Sequence, residues 1–509
     1  MAEPYYITTA ISYPNGKPHI GHAYEAIAAD AIARFHRQAG RDVRFQTGTD
    51  EHGLKMVQTA RDKGMEVRAL ADEMSGLFQA MCDSLDISYD RFIRTTEPAH
   101  HRASQAIWQA MADAGDLYLS RYEGWYSVRD EAFYDEKELV DGEGGVKLSP
   151  QGTPVTWTAE ESWFFRLSKY QQPLLDHYAA NPDFIRPESR RNEVMRFVEG
   201  GLADLSVSRT SFDWGVKVPG SDGHVMYVWV DALTNYLTGV GYPDDATTFA
   251  KFWPADLHLI GKDIVRFHAV YWPAFLMSAK LVLPKTVFGH GFLLNRGEKM
   301  SKSLGNVTDP GTLAETFGVD ALRYFLLREV SFGQDGSYSA EAIVTRVNAD
   351  LANGLGNLAQ RCLSIIAKTC GGILPADTVD TRPPHFGDTL GHITEAMDEL
   401  RLNEALEAIW DRVRIANGYF ADMAPWALRK TDPALADGVL YHTAEAIRQL
   451  AILVRWVIPR SADRLLDQLG QSADARDFAA LDAPIVAGLS LPAPQGVFPR
   501  LELPPEEIA

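Results

Sequence analysis

The first two strands that the sequence predicts are separated by a tight turn and a helix, and that order leaves few folds open. Residues 5–11, YYITTAI, have the apolar, β-branched texture of a buried strand. Pro14-Asn15-Gly16 supplies the turn. Ile20, Ile27, Ala31 and Phe35 then recur at helical spacing as far as Gly40, a glycine suited to a C-terminal cap. Residues 43–49, VRFQTGT, read as the second strand. Strands joined through a helix pair in parallel. Parallel sheets bind ligands beyond the carboxyl ends of their strands.

The texture changes from about Gly115 to Val225, where YEGWYSVRDEAFYDEKEL is aromatic and acidic. A hairpin-like segment is expected at Asp141–Gly145, and WFFRLSKYQQPLLDHY reads as helical. This stretch has the character of a module inserted into the sheet domain. Sheet signals return with MYVWVDAL (226–233) and DLHLIGKD (256–263). From about Asn348 onward the segments are amphipathic helices, NEALEAIWDRVRIANGYF among them, joined by Pro/Gly-rich loops such as 371–388. The expected fold class is therefore α/β: a Rossmann-like parallel-sheet domain, an inserted module and an all-α C-terminal bundle. A length of 509 residues suits such a division.

With 49 Lys and Arg against 68 Asp and Glu, the chain carries −19. That excludes coating of DNA or RNA through bulk charge but leaves room for a partner docked on local basic patches. Cys82, Cys362 and Cys370 make no CxxC and no disulfide scaffold, which points to a reducing, cytoplasmic setting. No signal peptide is visible at MAEPYYITTAISYPNG. The longest apolar stretch, Val270 to Leu283, is broken by Pro273 and Lys280, so no membrane span is expected.

Two clusters carry chemistry. His19-Ile20-Gly21-His22 falls at the start of the first helix, where backbone N–H groups and the helix dipole favour anions. Gly21 lets a flat base approach the backbone, and Lys17 adds charge. Lys299-Met300-Ser301-Lys302-Ser303 follows Gly297 and precedes Leu304-Gly305-Asn306, a cationic loop suited to the charge that develops on departing pyrophosphate. Alone, the first also fits two surface histidines and the second a solvated basic turn.

Together, HIGH after the first strand and KMSKS far downstream resemble the paired signature of class I aminoacyl-tRNA synthetases. AISYPNGKPHIGHAYEAIAADAIARF, TGTDEHG, YVWVDALTNY, LIGKDIVRFHAVYWPAFL and GEKMSKSLGN are similar to methionyl-tRNA synthetases across essentially the whole chain. The sister enzymes for leucine, isoleucine and valine usually carry a much larger editing insertion, and a cysteine enzyme should show zinc ligands at its pocket. Smaller nucleotidyltransferases lack the helical domain, and a non-catalytic relative need not keep both motifs intact.

The resemblance implies methionyl-adenylate formation from L-methionine and ATP with Mg²⁺, then transfer to the 3′-terminal adenosine of tRNA(Met), initiator tRNA included. His19, His22, Lys299 and Lys302 are implied in catalysis. ATP is implied to contact His19, Gly21, His22, Gly261, Asp263, Lys299, Met300, Lys302 and Ser303. Ile11, Tyr13, Asp50, Trp229, Ala232, Leu233, Tyr236, Ile264, Phe267 and His268 are implied to hold methionine, with Asp50 on the ammonium. Leu233 stands where some relatives carry proline. Aromatic and apolar walls suit a polarizable thioether, although Tyr13, Trp229, Tyr236, Phe267 and Trp272 would also suit plain core packing.

Asn357 and Arg361 lie one helical turn apart, and Trp426 follows Pro425. An amide, an arginine and an aromatic are what recognition of a single-stranded loop requires, and the family uses such positions to read the anticodon. The alternative for Trp426 is a buried core residue. Residues 1–114 and 226–295 are then the two halves of the catalytic domain, 115–225 the connective module, 296–347 the KMSKS loop and stem-contact region, and 348–509 the anticodon-binding domain. Residues 121–190 hold no cysteine and one histidine, His177, so no structural zinc and no protein metal site are expected, as in the zinc-free bacterial-type form. The short tail after the helices leads us to expect a monomer.

Overall fold

The structure, a computed structural model, describes residues 2–129, 132–298, 308–376 and 388–504. Strand β1 (Pro4–Thr9), helix α1 (Ile20–Gln38) and strand β2 (Asp42–Thr49) form the expected unit. β1 stops before Ala10, and the cap of α1 is Ala39, with Gly40 taking the left-handed φ of 81° just beyond. Helices α2 (Leu54–Lys63) and α3 (Val67–Ser84) lead to β3 (Arg91–Arg94) and α4 (Pro98–Asp113).

Next come β4 (Leu117–Ser127) and β5 (Thr156–Phe165), then β6 (Ile185–Arg186), α5 (Glu188–Glu199), α6 (Val228–Thr238), β7 (Leu257–Gly261) and β8 (Val287–His290). The main sheet has six parallel strands in the order β3-β2-β1-β7-β8-β6. Ile7 lies opposite Phe45 on one side and Leu257 on the other. The chain builds outward in one direction from β1 and in the other from β7, so a crevice opens between their carboxyl ends. Ser12, just past β1, bridges to Thr49 at the end of β2.

Two segments differ from the sequence reading. MYVWVDAL is strand only at Val225–Met226; from Val228 it is helix, nearly every residue of which is buried. A short apolar run looks alike in a buried strand and a buried helix, so its β-branched residues misled. In WFFRLSKYQQPLLDHY, Trp163-Phe164-Phe165 end β5, a 3₁₀ turn follows at Leu167–Tyr170, and the helix is confined to Gln171–Ala180. Between β3 and β6 lies an antiparallel sheet in which β4 and β5 pair over their length, with Trp125 opposite Trp157. Val140–Asp141 and Lys147–Leu148 form a separate small hairpin.

The C-terminal half is helical: α7 (Val319–Glu329), α8 (Asn357–Thr369), α9 (Leu402–Met423), α10 (Pro425–Thr431), α11 (Pro433–Val454) and α12 (Pro459–Gln468). Its core runs without a break into the layer over β1, joining Ile27, Ala31 and Phe35 to Leu326, Trp456 and Leu465. One ion pair lies inside that seam. Arg323 on α7 and Asp30 on α1 are both fully buried, 2.6 Å apart. Arg323 also donates to the carbonyls of Val457 at 2.8 Å and Leu85 at 3.2 Å. Burial alone would raise the pKa of Asp30, but Arg323, Arg34 and Ser88 hold it below the ordinary carboxylate range. No described helix is long and apolar enough to cross a membrane.

Candidate active site

His19 is the N-cap of α1, in extended backbone. Its Nδ1 accepts from the Gly21 N–H at 3.1 Å, and His22 Nδ1 accepts from the His19 N–H at 3.1 Å. This is a capping box built from two histidines instead of a hydroxyl and a carboxylate. A ring whose Nδ1 accepts carries its proton on Nε2, so the backbone selects the tautomer of both. The rings lie 3.8 Å apart, tilted by 32°, and Phe78 meets His22 edge-on at 5.0 Å. The first N–H of the helix, Ile20, donates to the Thr308 carbonyl at 3.2 Å. Lys299, Met300, Lys302 and Ser303 lie outside the described residues, but Thr308, downstream of them, is thus held at the helix start.

Gly261 ends β7, and Asp263 follows in a 3₁₀ turn with its side chain exposed. A Cβ on Gly261 would come within 2.7 Å of Asp263 Oδ1, so a side chain there would push the exposed carboxylate aside. Lys262 is held away by Asp335 at 2.7 Å. Nearby, a pair that sequence reasoning missed joins α1 to β8: Glu25 Oε2 lies 2.8 Å from His290 Nε2, and His290 Nδ1 donates to the Gly291 carbonyl. Burial alone would lower the pKa of His290, yet the Glu25 carboxylate outweighs it and raises it. Glu25, three residues after His22, was findable by helical phase; nothing local marks His290.

The methionine candidates fall into two groups. Trp229 and Phe267 stack at 3.8 Å and 7°, with His268 6.0 Å from the indole. His268 Nδ1 donates to the Ile264 carbonyl, so Nε2 accepts from the Tyr236 hydroxyl at 2.7 Å. Burial lowers the His268 pKa to about 4. Ala232 and Leu233 are buried along α6, and Ile264 is half-buried. The second group gathers beyond β1 and β2, where Ile11 is half-buried. Tyr13 donates to the His52 carbonyl at 2.8 Å and accepts from the Met56 N–H. Asp50 is buried, its N–H donating to the Ser12 carbonyl. Trp272 is fully buried and belongs to the core.

In the helical domain the guanidinium of Arg361 lies 4.9 Å from the ring of Trp426 and 5.1 Å from that of Phe420. Asn357, at the start of α8, is exposed. Trp426 is 44% exposed, which removes the core alternative for it. Ala424 ends α9 in left-handed conformation, Pro425 restarts the chain as α10, and Trp426 projects from that corner. Phe420 was not singled out from sequence; it shares the α9 pattern with ordinary core residues.

The family model described as tRNA synthetases class I (M) matches residues 5–363. The chain belongs to the methionyl-tRNA synthetases. A second model, the anticodon binding domain of methionyl tRNA ligase, matches residues 386–504. Methionine–tRNA ligase of Brucella suis is 60% identical, with 98% of each chain covered. The Mycobacterium tuberculosis ligase is 58% identical over 99% of each. Among solved structures, the Mycobacterium tuberculosis methionyl-tRNA synthetase in complex with methionyl-adenylate superposes with a TM-score of 0.94 at 57% identity, covering 98% of this chain and 100% of that one. Its apo form gives 0.88 at 55% identity, with 99% of each covered. As a class I ligase of this family, the chain uses ATP to join methionine to tRNA.

Proposed function

We propose that the crevice between β1 and β7 activates L-methionine and that α8, α9 and α10 present the anticodon-reading surface. The methionine carboxylate attacks the α-phosphorus of ATP, and the bond to the bridging oxygen of pyrophosphate breaks. The 2′-hydroxyl of the terminal adenosine of tRNA(Met) then attacks the acyl carbon, its proton leaves, and AMP departs. No protein nucleophile is needed, so catalysis is positioning plus charge stabilisation. His19 and His22 turn their Nε2–H donors to the phosphates. Lys299 and Lys302 neutralise the leaving pyrophosphate, with Met300 and Ser303 beside the nucleotide. Gly21 and Gly261 admit the base and ribose, and Asp263 accepts from ribose hydroxyls. Mg²⁺ enters with ATP as a phosphate-bound ion.

Asp50 pairs with the methionine ammonium. Tyr13, Trp229, Ala232, Leu233, Tyr236, Ile264, Phe267, His268 and Ile11 enclose the thioether. Asn357, Arg361 and Trp426 contact the anticodon, initiator tRNA included. The working division is 1–114 and 226–295 for catalysis, 115–225 as connective module, 296–347 for the cationic loop and stem contact, and 348–509 for the anticodon. We further propose a cytoplasmic monomer without structural zinc and without a DNA partner.

The observation that most supports this reading is the two-histidine cap of α1, whose hydrogen bonds fix both donors at a helix N-terminus held to Thr308, just past the cationic segment. Pyrophosphate exchange across all twenty amino acids tests it: methionine alone should drive exchange. A second amino acid driving it equally well would overturn the assignment.

A further inference from the structure

Behind the stacked aromatics, Asp231 of α6 is fully buried, and both its oxygens are engaged. Oδ2 lies 2.6 Å from His52 Nδ1 and Oδ1 lies 2.6 Å from His100 Nε2. His100 sits on α4 and reaches on to Thr238 at 3.0 Å. His52 lies against Trp214, whose indole N–H donates to the Glu51 carbonyl at 2.7 Å. Burial alone would raise the pKa of Asp231; the two histidines pull it far below the ordinary carboxylate value, so the group is ionised. A buried charge costs solvation that an apolar side chain would not. What it supplies instead is direction, because each hydrogen bond tolerates little change in length or angle.

Two of the three residues adjoin proposed methionine contacts in sequence. Asp231 stands between Trp229 and Ala232 on α6. His52 is two residues past Asp50, and its carbonyl holds the Tyr13 hydroxyl. We propose that Asp231 is a positioning residue that brackets α6 against the Asp50–His52 segment, fixing the span between the ammonium site and the aromatic wall and so governing methionine capture. This rests on the reading of Asp50 and α6 as the methionine pocket. The proposed ATP contacts, on α1, past the end of β7 and in the Lys299–Ser303 segment, belong to other parts of the chain, so the bracket should leave them alone.

The test is pyrophosphate exchange with methionine and ATP varied separately, alongside melting temperature. Loss of hydrogen bonds to a charged group predicts that Asp231→Ala raises the methionine KM by about 10- to 100-fold. The ATP KM should stay near the parent value, and kcat at saturating methionine should fall little. Asp231→Asn keeps the shape and still offers one acceptor and one donor, so it should recover most of the loss. If Asp231→Ala does not fold, the histidines decide. His52→Ala should raise the methionine KM more than His100→Ala, because only His52 shares a segment with Asp50, while their melting temperatures fall alike. Methionine and ATP KM rising together, or the two histidine variants losing activity in proportion to melting temperature, would overturn the bracket. Asp50→Asn separates the two layers. If it raises the methionine KM while Asp231→Ala and His52→Ala do not, only the bracket fails. If Asp50→Asn changes nothing, the pocket reading itself fails.

Discussion

The two recognition regions are built in opposite ways. At the crevice, polar groups are already spoken for: the histidines of the α1 cap are turned by backbone N–H groups, His268 by a carbonyl and a tyrosine, and Asp231 by two imidazoles. At the corner of α9 and α10, Trp426 stands half in solvent with Arg361 beside it. Chemistry on a small molecule gains from groups that need no rearrangement as charge develops. A surface that stacks a base needs an accessible face. The contrast predicts that damage at the crevice appears in pyrophosphate exchange and damage at the corner only in tRNA charging.

The largest effect should come from the joint that holds both regions. Arg323→Leu strips the fully buried cation from Asp30, leaving it only Arg34 and Ser88, and orphans the Val457 and Leu85 carbonyls; breaking such a buried pair costs about 3–5 kcal/mol. Chemical denaturation should show that loss; a change below about 1 kcal/mol would mean that Arg34 and Ser88 suffice to hold Asp30. Next, Lys302→Ala should lower kcat of pyrophosphate exchange by about 10²–10³, the cost of one transition-state donor. An unchanged kcat would take Lys302 out of the reaction.

Trp426→Ala should reduce tRNA charging efficiency by about 5- to 150-fold, from stacking worth about 1–3 kcal/mol. Pyrophosphate exchange should hardly move. Because Trp426 is 44% exposed, its melting temperature should fall much less than for a core tryptophan such as Trp272→Ala. Equal losses in both activities would erase the contrast between the regions.

The effect that is smallest at neutral pH comes from the titration of His268. The His268 pKa of about 4 lies below the unfolded value near 6.5. Its contribution to stability is therefore full above pH 6.5 and is lost as pH falls toward 4, by at most about 1.4 kcal/mol per pH unit. The parent should lose stability across that window faster than His268→Gln. Parallel pH profiles would show that the Tyr236–His268 contact carries no such linkage.

How much of this could be read beforehand depended on sequence distance. The β1–α1–β2 unit, the histidine cap and the glycine–acid step at Gly261–Asp263 are local, and periodicity or turn chemistry exposes them. α6 was misread because Tyr227, Val228, Val230 and Leu233 suit a buried strand as well as a buried helix; only burial on all sides, visible in three dimensions, separates the two. The pairs Glu25–His290, His52–Asp231 and His100–Asp231 join residues far apart in the chain, and no spacing rule reaches them. Trp426 was legible as a type but not as an exposed one, since its exposure follows from the left-handed turn at Ala424.

One consequence follows from the nineteen-residue helix α1, unbroken from Ile20 to Gln38. Its first turn holds the histidine donors, and it is fastened to the helical half at its middle, by Asp30 to Arg323, and at its far end, by Gln38 to the Ile452 carbonyl at 3.0 Å. At 1.5 Å per residue it is a stiff rod of about 28 Å. A tether would let the helical half drift relative to the histidine cap; a rod fastened at two points holds their separation.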